Sequence, residues 1–334
     1  MKYALIGCGR IATNHIKAVL NNHLELSAVC DVKPEAMEAL LAKHGLEQDT
    51  SIRRYTDYKE MVETEKPTLV GIATESGIHA EIALYCIAHG VNVIIEKPMA
   101  MSMADADAIV EAAQRNHVKV CACHQNRFNP AVQATRKALE EGRFGKLSHG
   151  SIHVRWNRNK GYYDQAPWRG TWAQEVYAQT AQQFHHYLEC EDVGMAVVKF
   201  KNGAIGTIEG TTNVYPKNLE ETLYLFGETG TVKIGGTSTN NIDVWDFADQ
   251  RPEDADLKGL QEATSNVYGN GHTLVYADMM DAIAQDRPPY IDAKAGRRAL
   301  EMILAMYQSA ATGLPVKLPL KDVASTDFTG RFSR

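Results

Sequence analysis

Five short apolar runs recur through roughly the first 125 residues, with amphipathic segments between them: Ala4-Leu5-Ile6, Leu26-Ser27-Ala28-Val29-Cys30, Leu69-Val70-Gly71-Ile72, Val93-Ile94-Ile95 and Val118-Lys119-Val120-Cys121. Strands that read as near-continuous apolar runs are buried on both faces, and their alternation with helical patterns predicts a parallel sheet covered by helices, an α/β unit. Helices are expected over Ile78 to Ala88 and over Ala104 to Gln114, the latter opened by Ser102 with Asp105 three residues on as its cap. The fourth run is bounded by Gly90 and Pro98 and leads into Glu96-Lys97-Pro98. Ligands of parallel sheets bind beyond the carboxyl ends of the strands, so Lys97 stands where one ammonium can meet a bound molecule. Pro98 restricts Lys97 to an extended backbone and ends the strand, although a strand-ending Lys-Pro taken alone is also a common solvated turn.

A dinucleotide site is predicted at the first strand. Gly7-Cys8-Gly9-Arg10-Ile11-Ala12 follows that strand directly and opens a helix, which is the context that gives a glycine fingerprint its meaning. Gly7 permits the tight turn, Gly9 lets the backbone approach a pyrophosphate, and Ala12 is small enough for helix-to-strand packing. Phosphates placed there meet the unpaired amides of a helix amino terminus. Asp31 ends the second strand, where its carboxylate can accept from a ribose diol and would repel a 2′-phosphate, so the cofactor is expected to be NAD. Ala73-Thr74-Glu75-Ser76-Gly77-Ile78-His79 leaves the third run on the same sheet edge. Thr74 and Ser76 either face the cofactor or cap the next helix, and His79 either lies near the pyrophosphate or is an ordinary capping or surface histidine.

After Pro130 a helix runs to Glu141 and stops at Gly142, and from Lys146 to about Ile234 the texture changes to longer strands with period-two alternation. Met195 to Phe200, a Lys201-Asn202-Gly203 turn and Ala204 to Gly210 form a hairpin signature. The chain returns to helix at His272 to Ala284 and Lys294 to Ala311. At 334 residues and 44% hydrophobic content it can bury two cores. A formal charge of −6 argues against nucleic acid as a partner. The amino terminus runs straight into a strand without a charged leader, and no apolar stretch reaches membrane length, so a cytoplasmic location is expected. The six cysteines suggest neither a disulfide framework nor a thiolate site. Gln183-Phe184-His185-His186-Tyr187-Leu188 reads as an alternating strand, along which His185, Glu189 and Glu191 are spaced too widely to share one ion. No metal site is expected.

Gly7 to Ala12, Ala73-Thr74 to His79, Glu96-Lys97-Pro98 and Asn126-Arg127-Phe128-Asn129-Pro130-Ala131 together resemble the Gfo/Idh/MocA family, the glucose-fructose oxidoreductases and inositol dehydrogenases, over nearly the whole chain. Val154-Arg155-Trp156-Asn157-Arg158, Tyr162-Tyr163, Pro167-Trp168-Arg169-Gly170-Thr171-Trp172 and Val267-Tyr268-Gly269-Asn270-Gly271-His272 resemble its subgroup that oxidises UDP-N-acetylglucosaminuronate at the sugar 3-hydroxyl in bacterial surface-polysaccharide synthesis. The resemblance implies a Rossmann domain over residues 1–125, then an α+β domain with an open mixed sheet over 126–334 whose final helices can pack back on the first. It also implies homodimers or homotetramers built by packing those sheets, and 2-oxoglutarate as a reoxidant of bound NADH. Gly7, Gly9, Arg10, Ile11, Ala12, Asp31, Thr74, His79, Glu96 and Lys97 would then hold NAD, with Lys97 steadying the developing oxyanion. Arg127, Arg155, Arg158 and Arg169 offer forks for carboxylate and diphosphate, Asn157 lies among them, and Tyr163 and Trp168 can stack on uracil or cover the sugar.

The chain departs from that pattern after Gln174. There the family continues into a glycine-rich turn and a helix bearing an Asp or Asn and, one helical turn later on the same face, the His that acts as general base. Here Glu175-Val176-Tyr177-Ala178 follows at once and resembles the strand beyond that helix. His272 either approaches the site from the carboxyl end or caps the helix it begins. Three readings stand: a UDP-sugar acid dehydrogenase, a protein that binds NAD and a nucleotide sugar without turning them over, and a dehydrogenase of a smaller polyol or inositol.

Overall fold

The computed structural model describes residues 1–155, 174–187, 190–263 and 270–331. They form two compact units, one of Met1–His124 with His272–Leu300, the other of Gln125–Gly271 with Glu301–Arg334. Residues 272–300 thus join the first unit.

The first unit alternates strand and helix as the apolar runs predict: β1 Lys2–Ile6, α1 Ala12–Asn21, β2 Glu25–Cys30, α2 Pro34–Lys43, β3 Arg53–Tyr55, α3 Tyr58–Glu65, β4 Leu69–Ile72, α4 His79–Ala88, β5 Asn92–Ile95, α5 Met103–Arg115 and β6 Val120–Ala122. The six strands lie in the order β3-β2-β1-β4-β5-β6, and every neighbouring pair is parallel. Strand order reverses between β1 and β4, which places a ligand crevice beyond their carboxyl ends. The Ser102 hydroxyl accepts from the Asp105 amide at 3.0 Å, so α5 begins where its cap signal lies. Thr74 and Ser76 cap nothing: a 3₁₀ turn, Ser76–Ile78, intervenes before α4, whose N-terminus has no side-chain cap. α8, Gly271–Ala284, and the start of α9, Ala293–Thr312, complete the unit. The Ala122 amide donates to the Ile291 carbonyl at 3.0 Å, and Asn22 Nδ2 to the Thr273 carbonyl at 2.9 Å.

Gly71 reads as a weak point of β4, and its neighbours explain it. A Cβ there would lie 2.0 Å from the Tyr3 hydroxyl and 3.0 Å from that of Tyr276. Both tyrosines are fully buried, and their hydroxyls share a hydrogen bond of 2.7 Å. Glycine in a strand interior marks such a close approach.

The second unit opens with a 3₁₀ turn, Gln125–Phe128, and α6, Pro130–Glu140, which gives way to Gly142 at φ +71°. Its strands are β7 Leu147–Arg155, β8 Glu175–Ala181, β9 Val193–Lys199, β10 Ile205–Thr211, β11 Glu220–Gly227, β12 Gly230–Gly235, β13 Asn241–Phe247 and β14 Val316–Lys317, with α7, Asp254–Leu257, after β13. They form one mixed sheet, β13-β12-β11-β7-β10-β9-β8-β14, in which only β7 and β10 pair in parallel among the named strands. β9 and β10 are the predicted hairpin. On β8 and β9, Val176, Ala178, Ala196 and Val198 are buried, while Tyr177, Met195 and Val197 on the other face are exposed. A core of Ala131, Ala138, Phe144, Val232, Ile234, Ile242, Trp245 and Phe247 lies between α6 and β12–β13. The buried Arg143 crosses it, its guanidinium 4.2 Å from the Phe247 ring centre and paired with Asp254 at 2.7 Å.

The strand expected over Gln183 to Leu188 does not form in residues 183–187. Asp192 accepts the amides of Gln183, Phe184 and His185 at 2.8, 2.7 and 2.9 Å, and one carboxylate gathering three consecutive amides bends the backbone into a turn. Residues 188 and 189 lie outside the described residues.

Gly71→Ala is expected to destabilise the protein by about 1–3 kcal/mol, because the new methyl must displace the Tyr3 hydroxyl from a packed core. Urea unfolding measures it, and an unchanged midpoint would refute the close approach.

Candidate active site

The glycine turn is built by the β1–β4 junction. Gly7 has φ +92°, and a Cβ on it would lie 2.6 Å from the Ala73 carbonyl and the Thr74 amide nitrogen, so no other residue fits. A Cβ on Gly9 would meet nothing within 4 Å, which leaves open space at the start of α1. Ile11, the N-cap of α1, supplies no side-chain hydrogen bond to the helix amides, and Ala12 is fully buried against the sheet. An uncapped amino terminus facing open space is what a dinucleotide pyrophosphate requires. Arg10 is exposed beside it.

Asp31 stands just beyond β2. Its Oδ2 accepts the Cys8 amide at 2.8 Å and its Oδ1 the Lys33 amide at 2.9 Å, so the carboxylate is fixed in orientation by the glycine turn. Each oxygen retains a lone pair for a diol. Thr74 is half-buried at the end of β4. His79 is placed differently from the expectation that it holds cofactor: it is 1% exposed, with Nδ1 2.8 Å from the Pro98 carbonyl and Nε2 3.1 Å from the Thr74 carbonyl. Its ring ties the loop after β4 to the loop after β5.

Beyond β5 the Glu96 amide still donates to the Ile72 carbonyl at 2.9 Å, so the backbone of Glu96 is pinned to the sheet. Its carboxylate points into a buried cluster. Oε1 lies 3.2 Å from Nε2 of His15 on α1 and 3.2 Å from Nε2 of His272 on α8. Oε2 faces Lys97, 3.8 Å from Nζ and 3.2 Å from the backbone amide. His15 Nδ1 lies 2.6 Å from the Tyr276 hydroxyl, which meets Tyr3. Burial pushes the Glu96 carboxyl up, but His15, His272 and the Lys97 ammonium outweigh it and hold the group well below the usual carboxylate range. Burial pulls His272 below the ordinary imidazole value, ahead of the opposing pull of Glu96. Cys123 is held well above the usual thiol range, first by burial and then by the Glu96 charge.

His15, Glu96 and His272 bring three ligand-type atoms within 4.8 Å of one another, a grouping that the sequence reading did not foresee. By distance they could hold an ion, yet Oε1 and the two Nε2 atoms already satisfy one another. The signals for this cluster were faint. His15 shares the buried face of α1 with Ala12, Ile16 and Val19, an apolar spacing interrupted by one polar residue. His272, for which two places were open, takes the one against Glu96.

Of the residues expected to meet substrate, Arg127 lies in the 3₁₀ turn before α6, half-buried. Arg155, at the end of β7, is committed elsewhere: its Nε and Nη2 bind both oxygens of Glu209 at 2.6 and 2.7 Å, and Nη1 binds Glu220 at 2.5 Å. Two carboxylates on one guanidinium leave no net positive charge for an anionic ligand, which corrects its reading as a substrate fork. Asn157, Arg158, Tyr163, Trp168 and Arg169 lie outside the described residues. At the departure from the family pattern, the Gln174 amide donates to the Lys199 carbonyl at 2.8 Å, and its carbonyl accepts the Leu318 amide at 2.9 Å. β8 starts at the next residue. No helix of the described residues is long and apolar enough to cross a membrane.

Residues 1–124 match the family model described as the oxidoreductase family, NAD-binding Rossmann fold, and residues 117–318 match its C-terminal alpha/beta domain. The chain is similar to the WlbA dehydrogenase from Bordetella pertussis, whose crystal structure is described as a complex with NADH and UDP-GlcNAcA. The TM-score is 0.84, with 33% identity over 96% of this chain and 98% of that one. Among curated proteins, D-apiose dehydrogenase from Paraburkholderia graminis is 34% identical over 155 residues, 46% of this chain and 40% of that protein. Myo-inositol 2-dehydrogenase from Thermotoga maritima is 24% identical over 95% of this chain and 98% of that protein. The first of these curated relatives is thus matched over less than half of its length.

The buried cluster predicts acid sensitivity. An unfolded chain protonates its imidazoles near 6.5, whereas folded His272 resists, so below that value the unfolded state binds more protons and stability falls with pH. Glu96 acts in the same direction lower down: its contribution is present above 4.5 and is lost as pH falls through its depressed folded value. His272→Gln is expected to flatten the stability slope between about pH 7.5 and 5.5, by at most about 1.4 kcal/mol per pH unit for one proton. Urea unfolding across that range tests it, and parallel slopes would refute the assignment.

Proposed function

The chain belongs to the Gfo/Idh/MocA family of NAD-dependent oxidoreductases, and from that premise we propose that its substrate is a UDP-linked N-acetylglucosaminuronate, oxidised at the sugar 3-hydroxyl. The observation that carries this reading is the likeness to the WlbA dehydrogenase, 33% identical over 96% of the chain, because D-apiose dehydrogenase matches over only 46% of the chain and myo-inositol 2-dehydrogenase at only 24% identity. Bound NAD supplies the hydride acceptor. The Gly7–Gly9 turn, Arg10, Ile11 and Thr74 would hold its diphosphate, with the small Ala12 packed behind the turn, Asp31 would take the ribose diol, and Glu96 and Lys97 would lie toward the nicotinamide. The Lys97 side chain, 16% exposed, carries the ammonium that steadies the oxyanion as hydride leaves. Arg127, Asn157, Arg158, Tyr163, Trp168 and Arg169 take the uracil, diphosphate and carboxylate. Surface-polysaccharide synthesis is the setting that such a substrate suits, with 2-oxoglutarate as a reoxidant. The exposed Tyr177, Met195 and Val197 favour a homo-oligomer.

A second reading is favoured by Gln174, which passes straight into β8 where the family resemblance calls for a base-bearing helix. A chain with the ammonium and no base binds both ligands and turns them over slowly or not at all. Purified protein given NAD and UDP-GlcNAcA decides between them. NADH formation with the UDP-sugar acid and not with myo-inositol or apiose is the expected result, and Lys97→Ala is expected to lower it about 10²–10³-fold. Calorimetric binding of the UDP-sugar acid without NADH formation would establish the second reading. Turnover of inositol or apiose alone would overturn the substrate assignment.

A further inference from the structure

We propose that His15 and His272 are positioning residues that act on Lys97 through Glu96, two imidazole N–H donors fixing one carboxylate as the charged anchor for the lysine side chain. The inference rests on reading Lys97 as the ammonium that steadies the oxyanion. Glu96 divides its two oxygens. Oε1 lies 3.2 Å from each imidazole Nε2, while Oε2 is left for Lys97, with Nζ at 3.8 Å and the backbone amide at 3.2 Å. An ionised carboxylate only accepts, so both Nε2 atoms carry protons and donate.

The donor order behind His15 follows from that charge. With Nε2–H spent on Glu96, a neutral His15 accepts at Nδ1 from the Tyr276 hydroxyl at 2.6 Å, and Tyr276 then accepts from Tyr3 at 2.7 Å. Every donor points toward Glu96. The groups facing the carboxylate are His15 from α1, Lys97 beside it, Cys123 after β6, and His272 and Tyr276 from α8. Burial holds the Cys123 thiol and the Tyr276 phenol protonated, so Glu96 is the one anion among them and Lys97 the cation it faces. Removing its charge, or a donor that fixes it, loosens the hold of this carboxylate on the lysine side chain.

The test reads the lysine and needs no turnover. Acetic anhydride at pH 8 acylates free amines, and peptide mass spectrometry compares Lys97 with the exposed Lys43 on α2. Glu96→Gln is expected to raise the Lys97/Lys43 labelling ratio, because the side chain loses the carboxylate beside it, and His272→Leu to raise it less, because one of the two donors that fix that carboxylate remains. His272→Gln, which keeps a neutral N–H donor, is expected to stay near wild type. Unchanged labelling in folded Glu96→Gln, or equal labelling in His272→Gln and His272→Leu, would overturn the proposal. If Glu96→Gln does not fold by circular dichroism, the two His272 variants decide it. The expected labelling order in a chain that fails the NADH assay would refute the proposed activity and leave this role of the histidines standing.

Discussion

One carboxylate in a dry core governs the first unit. Glu96 is 3% exposed, and an ionised group so far from water is tolerated only when donors replace its hydration. Its donors come from positions far apart in the chain: Lys97 next to it, His15 81 residues earlier and His272 176 residues later. The helix after the glycine turn, the sheet edge and α8 are thereby tied to one charge. Gly71 belongs to the same arrangement, since it makes room for the tyrosine pair that backs His15. A breaker residue in a strand is here a spacer for a polar cluster.

Much of this was legible in the residues. The apolar runs located β1, β2, β4, β5 and β6 because parallel strands buried on both faces have no polar face to blur them. β3 escaped notice: Arg53–Tyr55 is a short edge strand whose side chains meet solvent. The His185-His186 alternation misled because period two is only a tendency, and Asp192, several residues on, claimed the amides that a strand would have paired. The glycine turn was legible because it is a local backbone shape, with Gly7 at φ +92°, and the position of Asp31 because it directly follows an apolar run. The Glu96 cluster was not, because a partner 176 residues away leaves no spacing to read. Arg155 shows the converse, a basic residue whose type suggested an anion but whose cross-strand neighbours are Glu209 and Glu220.

Gln174 gives the sheet a property of its own. It is hydrogen bonded to Lys199 on one side and Leu318 on the other, so the pairing on both sides of β8 begins one residue before the strand. Val176 and Ala178 are buried just beyond. The start of β8 is thus held on both sides by backbone hydrogen bonds to its neighbouring segments.

The division of the units along the chain sets an order of events during synthesis. Residues 125–271 are inserted between two parts of the first unit, and the hydrogen bond from Tyr276 to His15 spans 261 residues. The nascent Rossmann half leaves the ribosome with Glu96 and His15 in place but without the segment that completes their enclosure. Closing so long a loop costs entropy that grows only slowly with its length. The first unit is thus begun first and closed only after residues 125–271 have been made, while the second unit receives its last strand from residues 301–334.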